Sequence, residues 1–447
     1  MAAVTVLCAV RGPQEAAVVV ALGAPGSGAT VTRRCGDLAE LLAAAAAGAG
    51  TVAVVSPDLP GLDREAVGRL HGTSVRVVAL ADTEAADRLR AMGVDTVVDD
   101  ALDPAGLDLR DAPALRDAVA RQAADPDGAE ATPAGDTAAR VGEATRVEDH
   151  EPEVAALPTR SGTVIAVWGP VGAPGRTTTA VELAAALAGI GGRAGRRRRS
   201  DPPPLRAGTA LLVDADTYGA SVAARLGLLD DAPGLAAVAR AAGQGTLDLE
   251  TLARHSPTVE PGLRVLTGIT RAARWPELPA SLLEVVFARA RELADWVVVD
   301  CGPIIEADEL LMYDTHAPQR NAATLSALAA ADVVVAVGAA DPIGIQRLVR
   351  GLEELREAPV PVSGSTIVIA NRVRASAVGR DPVTAVRQAL ARYAGVDVLH
   401  TVPDDGPALD AALLAGQTLA EHDPASPASA AFAGLAAAVH ALVPASV

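Results

Sequence analysis

Short, almost wholly apolar runs punctuate this sequence and constrain its fold more than any other feature. Val-Ile-Ala-Val-Trp at 164–168, Leu-Leu-Val at 211–213, Val-Val-Val at 297–299 and Val-Val-Val-Ala-Val at 333–337 recur between Ala/Leu-rich helical stretches. A strand with one wet face would alternate apolar and polar residues; a strand covered by helices on both faces has no reason to. The pattern therefore predicts parallel sheets in an α/β architecture.

Residues 1–112 carry five of these runs: Val4–Val10, Ala29–Cys35, Thr51–Ser56, Val75–Ala81 and Asp95–Val98. Joined by helices, they predict a small parallel αβ domain. From 113 to 160 the composition turns to Ala, Pro, Asp, Glu and Thr with weak periodicity, an acidic linker with a short helix expected around Pro113–Ala123. Residues 161–447 resume the alternation, with strands expected at Thr163–Trp168, Thr209–Asp214, Leu263–Thr267, Trp296–Asp300, Val333–Val337, Thr366–Ala370 and Val396–Thr401. The expected architecture is α/β: a doubly wound, mostly parallel sheet preceded by a smaller flavodoxin-like αβ domain. Gly191–Arg206, containing Arg196–Arg199 and a Pro-rich tail, reads as a basic insertion.

Composition narrows the functions. The net charge of −17 opposes unspecific attraction to nucleic-acid phosphates. Three cysteines without a C-x-x-C pair fit a reducing compartment, and seven histidines without ligand spacing give no zinc signal. The first residues lack the basic stretch of a signal peptide, and no apolar run reaches the roughly 18 residues of a membrane span. A cytoplasmic protein is expected. All 38 basic residues are arginine, most simply the imprint of a GC-rich genome.

The chemistry sits where the first strand of the larger domain ends. Gly169-Pro-Val-Gly-Ala-Pro-Gly-Arg-Thr-Thr178 joins an apolar strand to an Ala-rich helix, the layout of a phosphate-binding P-loop. Such a loop works because successive backbone N–H groups and the positive end of the following helix surround phosphate oxygens, while a hydroxyl ligates Mg²⁺. Against G-x-x-x-x-G-K-[ST], Arg176 stands at the lysine position, and a guanidinium is bulkier and donates at other angles than an ammonium. Asp214 and Asp216 end one later apolar run and Asp300 another, positions suited to hold Mg²⁺ and its waters.

These runs, with Ala331–Val337, Ile369-Ala-Asn-Arg-Val373 and Val402-Pro-Asp-Asp405, resemble in order and spacing the MinD/ParA group of deviant-Walker ATPases. The pairing with an N-terminal domain is similar to the CpaE/TadZ branch of Flp-type pilus assembly. The resemblance implies ATP and Mg²⁺ as ligands, with Gly172, Ala173, Pro174, Gly175, Arg176, Thr177 and Thr178 around the phosphates. It implies Thr177 and, through water, Asp300 at the metal, Asp216 at the attacking water, Asn371 and Arg372 at adenine, and Pro403 and Asp404 bordering the base. Asp216 and Arg176 are the catalytic candidates. Two departures weigh against turnover: Arg176 replaces the Walker lysine, and Val171 aligns with the family's signature lysine.

The N-terminal domain resembles a response-regulator receiver, through its strand order and Ser56-Pro-Asp-Leu-Pro-Gly61, but not its chemistry. Ala9-Val-Arg11 replaces the acidic pair, Ser56 the phosphoacceptor, and no lysine exists. A docking or dimerising role follows. The expected function is that of a dimeric, nucleotide-dependent positioning protein in pilus assembly or septum placement, with weak or absent hydrolysis. Alternatives are a pseudo-ATPase scaffold that binds no nucleotide and a ParA-like partitioning ATPase. Expected partners are a second copy and proteins of the pilus or division machinery. Arg196–Arg199 offer peripheral contact with anionic membrane, whereas Ala428–Leu442, Ala-rich and without arginine, is expected to pack on its own domain.

Overall fold

The computed structural model describes residues 3–102, 108–124, 161–172, 174–191, 208–228, 233–307, 318–396 and 399–443. Ala173 and the Arg196–Arg199 run therefore lie outside the described residues, as does most of the expected linker. The chain divides into two compact units, Met1–Thr159 and Arg160–Val447.

In the first unit, strands β1 (Val4–Ala9), β2 (Ala29–Arg34), β3 (Val52–Val55), β4 (Arg76–Leu80) and β5 (Thr96–Val98) form a parallel sheet in the order β2-β1-β3-β4-β5. That order is the flavodoxin-type doubly wound arrangement. Successive side chains of a strand point to opposite faces, and the two cores follow that period. Leu7, Ala9, Ala53, Val55, Val77 and Ala79 pack with Leu41, Val67, Leu70 and Leu89 of one helix layer. Val6, Cys8, Val52, Val54 and Val78 pack with Val18, Leu22, Leu115 and Val119 of the other. The last two belong to the helix Ala112–Ala124, so a segment assigned from sequence to the linker is a working part of this domain's core.

In the second unit, β6 (Thr163–Trp168), β7 (Ala210–Ala215), β8 (Thr258–Glu260), β9 (Leu263–Leu266), β10 (Trp296–Cys301), β11 (Val333–Ala339), β12 (Ser365–Val373) and β13 (Leu399–Pro403) form one sheet. Its order is β13-β12-β11-β6-β10-β7-β9-β8. Every pairing is parallel except β8 with β9, a short antiparallel edge. The centre is β6, flanked by β10 and β11 and buried along its whole length. Val164, Ala166 and Trp168 face a layer that includes Leu235, Leu283 and Phe287; Ile165 and Val167 face one built by Val181, Leu183, Phe432 and Leu435. Phe432, Leu435, Ala436 and Val439 are buried on the C-terminal helix Pro427–Leu442, which thus packs on its own domain. Among the described residues no helix is long and apolar enough to cross a membrane.

Candidate functional site

β6 ends at Trp168, and Gly169, Gly172 and Gly175 lie between it and the helix Arg176–Leu187. Two glycines make the turn possible. Gly172 (φ 113°) and Gly175 (φ 99°), the latter at the helix N-cap, occupy backbone regions that L-residues rarely adopt. Space is also short: a Cβ on Gly169 would run into the Val337 carbonyl and one on Gly175 into the buried Asn371 Nδ2, while one on Gly172 would displace the exposed Arg347 guanidinium. The first-turn N–H groups of the helix, with Thr177 and Thr178 half-buried beside them, face the end of the sheet where doubly wound folds bind ligands.

Arg176 does not stand free in this loop. Its Nε donates to the Cys301 carbonyl at 3.1 Å, and Nη1 donates to the carbonyls of Gly169 (3.3 Å) and Pro170 (3.2 Å). Nη2 lies 3.5 Å from Asp216 Oδ2, with both side chains largely buried. The guanidinium thus ties the loop to the ends of β7 and β10, a fan of acceptors that an ammonium could not span in one plane.

Three aspartates meet at the same strand ends. Asp214 accepts from the Ser221 and Val222 amides at 3.0 Å each and from Asp216 N at 3.3 Å, so it caps the short helix Val222–Arg225. Burial, reinforced by the neighbouring Asp216 charge and opposed by those amides, pushes its pKa up to about 6. Asp216 Oδ1 accepts from the amides of Tyr218 (2.9 Å) and Gly219 (3.1 Å), which fixes its turn. Asp300 is fully buried, and neither oxygen accepts a hydrogen bond of good geometry, although the Thr177 hydroxyl lies close enough to favour its charged form. Burial first, then the charge of Asp214, raises its pKa well above the ordinary carboxylate range; the Thr177 hydroxyl and Arg176 offset only part of this. Cys301 behind it is a buried thiol pushed well up by the same causes, desolvation and the Asp300 charge.

A buried carboxylate without a partner is costly, and a cation is the usual remedy. Among the described residues no group of three or more His, Cys, Asp or Glu is arranged to hold a metal ion by itself. The donor set fits a different kind of site. The Thr177 hydroxyl, 3.4 Å from Ser221 Oγ, and the buried Asp300 can serve an Mg²⁺ that carries further oxygens from phosphate and water.

The remaining expected residues separate into two groups. Asn371 closes the loop: Nδ2 donates to the Pro174 carbonyl at 2.8 Å and Oδ1 accepts from Arg372 N at 2.9 Å. Expected to read adenine, it sits buried with one N–H and its amide oxygen engaged in holding the loop. Arg372 is exposed, with the positive φ of 59° that an arginine seldom adopts. Asp404 pairs at 3.7 Å with Arg374, a half-exposed contact beyond the end of β13, and Pro403 ends that strand. Sequence reasoning missed Arg347, Ser221 and Glu182. Glu182, buried on the P-loop helix, accepts from Leu419 N (3.0 and 2.9 Å) and from Arg225 (3.3 Å), tying that helix to the Asp214-capped turn and to the C-terminal segment.

No family model matches this sequence, and no curated protein matches it. Solved structures with similarity include a ParA family ATPase from Chlorobium tepidum, 19% identical over 62% of this chain and 99% of that one, TM-score 0.48. The cell division ATPase MinD of Pyrococcus furiosus is 20% identical over 63% and 100% of the two chains, TM-score 0.46. The septum site-determining protein MinD of Pyrococcus horikoshii, complexed with Mg-ADP, is 19% identical over 64% and 100%, TM-score 0.44.

Proposed function

We propose that the second unit binds ATP with Mg²⁺ and acts as a nucleotide-dependent positioning protein with weak or absent hydrolysis. One observation carries the reading: Asp300, fully buried beside Thr177 at the mouth of a glycine loop, has no hydrogen bond of good geometry to either oxygen, and the Thr177 hydroxyl offsets only part of the cost of its burial. A structural turn with helix-capping aspartates would leave Asp300 satisfied, as it does Asp214. A phosphate-borne cation supplies what is missing.

In this reading the loop amides and the helix N-terminus take phosphate oxygens, Thr177 ligates the metal, and Asp300 holds it through water. Bound Mg²⁺ supplies charge neutralisation for the phosphates. Weak hydrolysis follows from Asp216: two backbone amides hold one carboxylate oxygen and Arg176 stands 3.5 Å from the other, which leaves it poorly placed to orient an attacking water. A switch that works by affinity needs only binding. The resemblance in motif order extends the proposal to a nucleotide-closed dimer that recruits components of a pilus or septum, with the first unit as a docking module.

Equilibrium dialysis against Mg-ATP tests the core of this. Arg176→Ala should lose affinity because the loop loses its tie, whereas Asp216→Ala should keep affinity and lose residual turnover. A parent that binds no ATP leaves the scaffold reading in place.

A further inference from the structure

Arg176, at the lysine position, is committed to three backbone carbonyls and lies 3.5 Å from Asp216, and the loop nevertheless needs a cation for phosphate. A second guanidinium stands against the same loop. Arg347 lies on the helix Pro342–Arg356, which begins just past β11, the strand next to β6. Its Nη1 is 3.5 Å from the Val171 carbonyl, a marginal bond, and occupies the space that a Cβ on Gly172 would fill. The residue is exposed, and among the described residues it pairs with no carboxylate. A guanidinium has five N–H donors, so nearly all of its capacity remains available at the rim of the glycine loop.

We infer that Arg347 is the phosphate-directed cation of this site, taking oxygens of the terminal phosphate of a nucleoside triphosphate held at 169–178. The two arginines divide one task. Arg176 holds the loop in shape from within, and Arg347 supplies charge from outside, where a planar fork matches two phosphate oxygens. Gly172 is required for its positive φ, and its bare Cα lets Arg347 lie close over the loop. The inference rests on the nucleotide reading of the loop.

The test is calorimetric binding of ATP and of ADP to the full chain, comparing the parent with Arg347→Ala, Arg347→Lys and, as a control one turn away, Arg350→Ala. Charge-assisted hydrogen bonds of this kind predict that Arg347→Ala weakens ATP about ten-fold or more and ADP distinctly less. Arg347→Lys should recover part of the loss, and Arg350→Ala should behave as the parent. The unliganded melting temperature should not change, because the side chain is exposed. The parent's ATP affinity should also fall more steeply with salt than that of Arg347→Ala. Arg347→Ala binding ATP as the parent does, or losing ATP and ADP equally, overturns the role of Arg347 and leaves the nucleotide site standing. A parent that binds neither nucleotide overturns both.

Discussion

Asp300→Asn separates a ligand-directed carboxylate from a structural one because it should do two opposite things. In the unliganded protein it should stabilise. At a pH where Asp300 is ionised, removing its buried charge relieves a penalty of several kcal/mol, while the asparagine amide left behind costs about 1–3 kcal/mol of its own. The net gain is on the order of 1–3 kcal/mol, a rise in melting temperature of roughly 2–4 °C per kcal/mol for a domain of this class. The sign with pH follows. The folded pKa of Asp300 lies above its unfolded value, so the parent loses stability as pH rises from the unfolded pKa towards the folded one. The advantage of Asp300→Asn should therefore be absent in acid, grow upward from about pH 4 and then level off. With Mg-ATP the gap should shrink. Ligand at 100 times its dissociation constant stabilises by about 2.7 kcal/mol. The variant should lose the Mg²⁺-dependent part of that gain. Thermal melts at pH 5 and pH 8, with and without Mg-ATP, read all four conditions. A variant less stable than the parent at pH 8 and still stabilised by Mg²⁺ would refute the reasoning.

Gly175→Ala strains a φ of 99° and drives a methyl into Asn371, so ATP binding should be lost while the fold persists by circular dichroism. Phe432→Ala empties a fully packed position on the C-terminal helix and should cost about 3–5 kcal/mol in urea unfolding, and more than Leu442→Ala, whose side chain is half exposed. The Asp214 carboxyl should titrate near pH 6 in a carbon-13 NMR series; because its folded pKa is raised by about 2 units, it removes on the order of 3 kcal/mol as pH climbs from about 4 to 6. A midpoint near 4 would contradict its burial.

The sheets were legible because both faces of each central strand are covered, which writes the strand as an unbroken apolar run such as 297–299. β8 escaped notice because a three-residue polar edge, Thr-Val-Glu, carries no such signal. The helix Ala112–Ala124 was legible as a helix but not as core, since only Leu115, Ala118 and Val119 are buried in an otherwise polar and Ala-rich stretch. At the site, the loop and its aspartates announced themselves by strand-end position. The engagement of Asn371 with Pro174 joins residues 197 positions apart, and only the closed sheet brings them together. Arg347 carried no signal at all: it is one exposed arginine among 38 basic residues, and its meaning comes from the glycine it covers.

The most direct measurement of the central claim is isothermal titration of the full chain with ATP, once in Mg²⁺ and once in EDTA. The account predicts saturable binding at one site per chain that weakens markedly when Mg²⁺ is removed. No binding heat up to millimolar ATP, or an affinity indifferent to Mg²⁺, would contradict it.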